Sequence, residues 1–239
     1  MLGTSVDDLV EFSKGEPNFV STHYCYIDGP IDGFWGHVGV LCKGSPKTRW
    51  YPITKSQKSQ IWSRLHDSHV WITARTLNNR MLVINMSNVL CISLLDDASD
   101  NPEDWDLDWD AYEGFGDEIY VALDQRLSGD KSYRDTSETL KGVIEDVIKT
   151  SELDENQILN RLTFTNIFTV DGRIDSISSY GRYLFDTVFF ADMQQLELLE
   201  FDDDGHESFY PSGGVALVDM PRQEFLRSYE EVKKEDGIE

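Results

Sequence analysis

The chain has 239 residues, 40% of them hydrophobic, and a formal charge of −23 at pH 7 from 44 acidic and 21 basic side chains. A chain of this length hides roughly 70 to 75 per cent of the surface its unfolded form exposes, so folding needs neither a disulfide nor a metal. The charge repels nucleic acid and anionic lipid in bulk and attracts basic surfaces over a range set by salt.

The first sixteen residues, MLGTSVDDLVEFSKGE, carry acids where a signal peptide carries bases, and no later run reaches membrane-spanning length. Both features predict a cytoplasmic protein with no membrane partner. Cys25, Cys42 and Cys91 have no close metal-ligand spacing, and an odd number argues against a disulfide framework. They read as buried free thiols.

Residues 7–12 suit a short helix or an arm, ended by Pro17. Residues 23–27 read as an aromatic-rich strand, Asp28-Gly29-Pro30 as a turn, and residues 35–42 as a second strand. In the latter, Gly36 and Gly39 predict a bulge or a close backbone approach. After the loop Lys43-Gly44-Ser45-Pro46 comes a short strand over residues 49–53. Thr54 then caps a helix through His66, with Ile61, Trp62 and Leu65 as its apolar stripe.

Residues 69–97 form the longest patterned apolar stretch and read as three strands. Val70, Ile72 and Ala74 alternate with Trp71, Thr73 and Arg75, and Asn78-Asn79 predicts a two-residue type I′ turn because Asn tolerates positive φ. Residues 81–86 and 89–95, split by Ser87-Asn88, are so uniformly apolar that both should be covered on both sides. Residues 118–123 suggest one more strand, and the polar run 125–136 a linker.

Past the linker, Asp135 and Glu138 have capping-box spacing, and Leu140, Val143, Ile144, Val147 and Ile148 fall at helical intervals. Ser151 and Asp154 offer caps for a short helix ending near Leu162. Residues 163–170 alternate, Asp171-Gly172 is a hairpin turn, and strands are expected beyond it, with a turn at Tyr180-Gly181 before residues 182–190. Thr169-Val170-Asp171-Gly172-Arg173 parallels Thr76-Leu77-Asn78-Asn79-Arg80, which raises a diverged duplication. A loop at residues 211–214, a short strand at 215–218 and a helix opened by Pro221, with Phe225, Leu226, Tyr229 and Val232 on one face, complete the pattern.

These elements predict an α+β protein in two antiparallel-sheet-rich halves, residues 1–124 and 137–239, each with a packed helix. Strand-turn-strand units after a helix resemble those of small Sm-like barrels, a family that binds RNA or peptides at strand edges. The likeness is one of fold alone, since no specific Sm motif is present.

The candidate site lies in the charge pattern. Residues 43–80 hold eight Lys or Arg against the single acid Asp67, whereas residues 96–118 hold eleven acids and no base. Within the latter, Asp104, Asp106, Asp108 and Asp110 alternate with Trp105, Leu107 and Trp109, so an extended segment sets carboxylates on one face and aromatics on the other. An EF-hand loop requires Gly where Trp109 stands and Glu where Phe115 stands.

The pattern predicts a non-enzymatic acidic protein with a basic protein partner, as for an inhibitor, a nucleic-acid mimic or an immunity protein. Asp104, Trp105, Asp106, Asp108, Trp109, Asp110 and Glu113 are the partner-binding candidates: carboxylates steer and aromatics anchor. One alternative is a nucleic-acid module built on Lys43, Lys47, Arg49, Lys55 and Lys58 with Trp50 and Tyr51 as stacking faces. The global charge disfavours that direct binding. A second is a metal-assisted hydrolase using His66 and His69, three apart, or the Asp202-Asp203-Asp204-Gly205-His206-Glu207 cluster. A third leaves the basic block and the acidic flap neutralising one another within the fold. The pair of His23 or His37 with Cys25 lacks the context of a nucleophile. No phosphate-binding loop, dinucleotide fingerprint or serine elbow occurs, so no catalytic residue, metal or cofactor is expected.

Overall fold

The computed structural model describes residues 33–103, 105, 107, 117–151, 153–178, 182–203 and 205–236. The expected arm at 7–12, strand at 23–27, turns at 28–30 and 180–181, and Cys25 lie outside them. The fold is α+β, with three antiparallel sheets and six helices among the described residues.

Strands β1 (Phe34–Cys42), β2 (Arg49–Thr54) and β5 (Val89–Asp96) form a three-stranded sheet in the order β2-β1-β5. A five-stranded sheet runs β3 (Trp71–Arg75), β4 (Arg80–Asn85), β10 (Val215–Pro221), β6 (Thr165–Thr169), β7 (Ile174–Ile177). The hairpin β8 (Leu198–Asp203) and β9 (His206–Pro211) stands as a two-stranded sheet.

The five-stranded sheet is the middle layer, and its pleat explains why β4 is apolar at every position from Met81 to Ile84. Leu82 and Ile84 face the three-stranded sheet, meeting Val38, Val40, Tyr51 and Ile53 together with Ile61 of α1 (Lys55–His66). Met81 and Val83 face the other way, toward α5 (Arg182–Asp192), α6 (Arg222–Asp236) and the β8–β9 hairpin. Burial on both faces removes the alternation a half-exposed strand shows. A separate cluster joins α2 (Asp117–Ser128), α3 (Glu138–Thr150) and α4 (Glu155–Thr163) through Ile119, Leu123, Ile144 and Leu162.

Local signals set most boundaries. Thr54 Oγ1 accepts from Gln57 N at 3.2 Å to start α1, and Asp154 with Gln157 forms a capping box at α4. Gly36 sits at a register shift in β1. A side chain at Gly39 would put its Cβ 2.7 Å from the Trp50 ring, so glycine here is the close approach expected from sequence.

Several expectations change. The Asn78-Asn79 turn is not type I′: of the pair only Asn79 has positive φ, 61°. Thr76 N bonds to Arg80 O, a three-residue loop closed by one left-handed residue. The Asp171-Gly172 turn is built alike, with Gly172 at φ 84° and Thr169 N bonded to Arg173 O. In both turns the Thr hydroxyl also donates to the side chain two residues on and to the Arg carbonyl. Beyond the turns the two stretches differ, since β4 leads to β5 whereas β7 leads to helix α5.

Residues 118–123 are helical, because Ile119, Leu123 and the partly buried Leu127 recur at four-residue steps against α3 and α4. Residues 182–190 are helical too, since Leu184, Phe185, Val188 and Ala191 line one face against the sheet. β5 is an edge strand with Leu90 62% exposed and Cys91 exposed, not a strand covered on both sides. Trp62 leaves the α1 stripe for solvent. Ser137, rather than Asp135, caps α3 through Leu140 N.

The expected linker 125–136 holds the end of α2 and a 3-10 helix, Lys131–Asp135. The five-stranded sheet takes β3 and β4 from before this stretch and β6, β7 and β10 from after it. No helix among the described residues is long and apolar enough to cross a membrane.

β3 is an edge strand, yet its open side is covered by side chains. Gln194 Oε1 accepts from Val70 N and Trp71 N at 2.8 and 3.0 Å, and Gln194 Nε2 donates to Trp71 O at 3.0 Å. Arg64 donates to Thr73 O at 3.3 Å, and Gln57 Oε1 accepts from Arg75 N at 2.9 Å. Every second residue of the edge thus finds a side chain where another strand would bind.

Candidate functional site

The arginines of the basic block are drawn into the fold, while Lys43, Lys47 and Lys55 are exposed. Arg80, 6% exposed, donates to Asp219 Oδ1 at 2.5 Å and to the carbonyls of Arg161, Phe164 and Asp219. Tyr51 completes this buried group by donating to Asp219 Oδ2 at 3.1 Å, and burial followed by the Asp219 charge pushes its phenol well above the usual range. Arg64 pairs with Asp192 at 2.7 Å, and Lys43 Nζ donates to Ser87 O at 2.6 Å. The Arg49 guanidinium lies 4.6 Å over the Phe168 ring. Lys58 sits over Trp35 and Trp62, and Arg75 is buried.

The proposed stacking faces are not at the surface. Trp50 and Tyr51 are each 4% exposed. Trp105 is half-buried and stacks on Trp50, ring centroids 5.3 Å apart, with its edge contact to His37 at 4.8 Å. The acidic segment is therefore pinned at Trp105 to the outer surface of the β1–β2 pair. Asp96, Asp97, Asp100 and Glu103, leading into it, are exposed. Asp104, Asp106, Asp108, Trp109, Asp110 and Glu113 lie outside the described residues.

His66 closes α1, its Nδ1 2.7 Å from Trp62 O and its ring against the Trp62 indole at 4.3 Å. Among the described residues, no three His, Cys, Asp or Glu side chains group so as to hold a metal ion. Asp202 Oδ1 accepts from Gly205 N at 2.9 Å, which shapes the tip of the β8–β9 hairpin. Cys42 is buried and its thiol is pushed up to about 11 by desolvation, opposed by Arg49, which leaves it inert as a nucleophile.

Sequence reading did not single out two further features. Glu224 on α6 shares Arg227 with Asp124 on α2. Burial first, with Asp124 and Glu231 adding to it and Arg227 opposing, raises the Glu224 carboxyl to about 7. The second feature is the outward face of the β8–β9 hairpin, where Leu198 and Phe209 are 50% and 51% exposed. No family model matches this chain, and no curated protein or solved structure matches it either.

Proposed function

We propose that the chain is a non-catalytic binding protein that presents carboxylates to a basic surface of another protein, in the role of an inhibitor, a nucleic-acid mimic or an immunity protein. The observation that carries this reading is that the arginines of the basic block are used inside the fold while the acids that follow β5 stay in solvent. Arg64 and Arg80 pair with Asp192 and Asp219, Arg75 is buried, and Arg49 covers a ring. The arginine charge is thus engaged inside while Lys43, Lys47 and Lys55 stay exposed, and the burial of Trp50 and Tyr51 withdraws the two rings expected to stack on bases. The acids at residues 96, 97, 100 and 103 remain in solvent, where they steer a cationic partner. Free Cys42 and Cys91 suit a cytoplasmic setting.

The test is affinity capture with the purified protein at low and high salt, beside a variant carrying Asp104→Asn, Asp106→Asn, Asp108→Asn and Asp110→Asn. A basic protein should be held at low salt, released as salt rises, and lost by the variant while its thermal melt is unchanged. Undiminished capture by the variant refutes the role of those carboxylates.

A further inference from the structure

We propose that the outward face of the β8–β9 hairpin docks an extended segment of a partner protein in which a bulky apolar residue is flanked by Lys or Arg. This rests on the function proposed above and names a contact face for it. The hairpin register divides its side chains cleanly. Leu199 pairs with Tyr210 and Phe201 with Ser208 on the inward side, and Leu199 and Phe201 are 1% and 0% exposed in the core. The outward pairs are Leu198 with Pro211, Glu200 with Phe209, and Asp202 with Glu207. From base to tip the face therefore grades from apolar, through a mixed pair, to purely acidic.

Two large apolar side chains held half in water, with nothing from the described residues over them, are the kind of anchor point that binding energy concentrates on. The charge decides the partner. Residues 183–221 contain nine acids and no Lys or Arg; Asp186, Asp192 and Asp219 are paired with arginines elsewhere, whereas Glu200, Asp202 and Glu207 form no ion pair with a described base. Three uncompensated carboxylates beside Phe209 match a cationic segment and repel an acidic one. Neither β8 nor β9 pairs with a third strand among the described residues, so an extended segment also meets backbone donors and acceptors along an edge.

The experiment uses the full chain and two synthetic peptides of equal charge, one alternating Lys with Phe and the other alternating Lys with Ser. Binding is followed by calorimetry at low and high salt and mapped by backbone amide shifts. The Lys/Phe peptide should bind about ten-fold tighter than the Lys/Ser peptide, with shifts at residues 198–211. Glu200→Lys with Glu207→Lys, and separately Phe209→Ser, should each weaken it about ten-fold without moving the thermal melt. Salt-sensitive binding that maps to residues 96–103 overturns this face while leaving the charge-driven function standing. Absence of binding by either peptide at low salt overturns this face, the capture experiment above deciding the function separately, and equal affinity of the two peptides overturns the apolar anchor.

Discussion

Replacing Glu224 by Gln should flatten one arm of the pH–stability curve. The Glu224 side chain is 1% exposed, its Oε1 makes no hydrogen bond, and its Oε2 accepts from Arg227 Nη1 at 3.1 Å. Desolvation raises its pKa from 4.5 to about 7. The folded protein then holds this proton more tightly than the unfolded chain. Stability from this group is full below pH 4.5 and is lost as pH climbs through 7, because the unfolded state ionises first. A gap of about 2.5 pH units at about 1.4 kcal/mol each comes to about 3.5 kcal/mol, of which about 3 falls between pH 4 and pH 8. Gln carries no such proton, so whatever constant offset it introduces, the stability of wild type minus variant should fall by about 3 kcal/mol between pH 4 and pH 8. Urea unfolding at fixed ionic strength, followed by tryptophan fluorescence, measures that difference. A difference that stays level across the window refutes the buried, shared-arginine account of Glu224.

Gln194→Ala removes the side chain that covers the β3 edge at Val70 and Trp71. At about 1 kcal/mol net for each lost bond to those three backbone groups, it should cost about 3 kcal/mol and add concentration-dependent association visible by light scattering. Gln194 has φ 57°, so Gln194→Gly should lose the same bonds yet melt higher than the alanine variant; equal melting points for wild type and alanine would discard the edge-cover idea. Arg80→Met strands Asp219 and Tyr51 in the core and should cost about 3–5 kcal/mol. Adding Asp219→Asn should recover part of that loss in urea unfolding, and strict additivity of the two changes would argue against their coupling.

How much of this was legible depended on how local the deciding physics is. Thr54, Asp154 and the Ile144–Val147 stripe act within one or two turns, so α1, α3 and α4 were readable from residues alone. In α5, aromatic and β-branched residues (Phe185, Thr187, Val188, Phe189) suggest strand, and only the core that receives Leu184, Val188 and Ala191 together makes the helix the better solution. The same holds at the candidate site. Counting charges found the basic block, but no spacing rule joins Arg80 to Asp219, 139 residues away. Phe209 and Leu198 look like core residues in sequence, since strands apolar at successive positions normally have two covered faces. Trp105 was legible as a docking ring but not the surface it meets, because Trp50 and Gly39 come together only through β1–β2 pairing.

The place of β10 in the five-stranded sheet has a consequence for synthesis on the ribosome. β4 emerges with apolar side chains on both faces, and its neighbour β10 follows 130 residues behind, the separation between Asn85 and Val215. At about 5–20 residues per second the nascent β3–β4 hairpin waits roughly 6 to 26 seconds for its sheet to be completed. During that interval β1, β2 and β5 can shield the side carrying Leu82 and Ile84, but Met81 and Val83 have no cover until α5 and α6 arrive. A chaperone that holds unfinished chains should therefore bind this one before β10 is made and release it once α6, Arg222–Asp236, has followed, and chains stopped short of β10 should aggregate through that uncovered face.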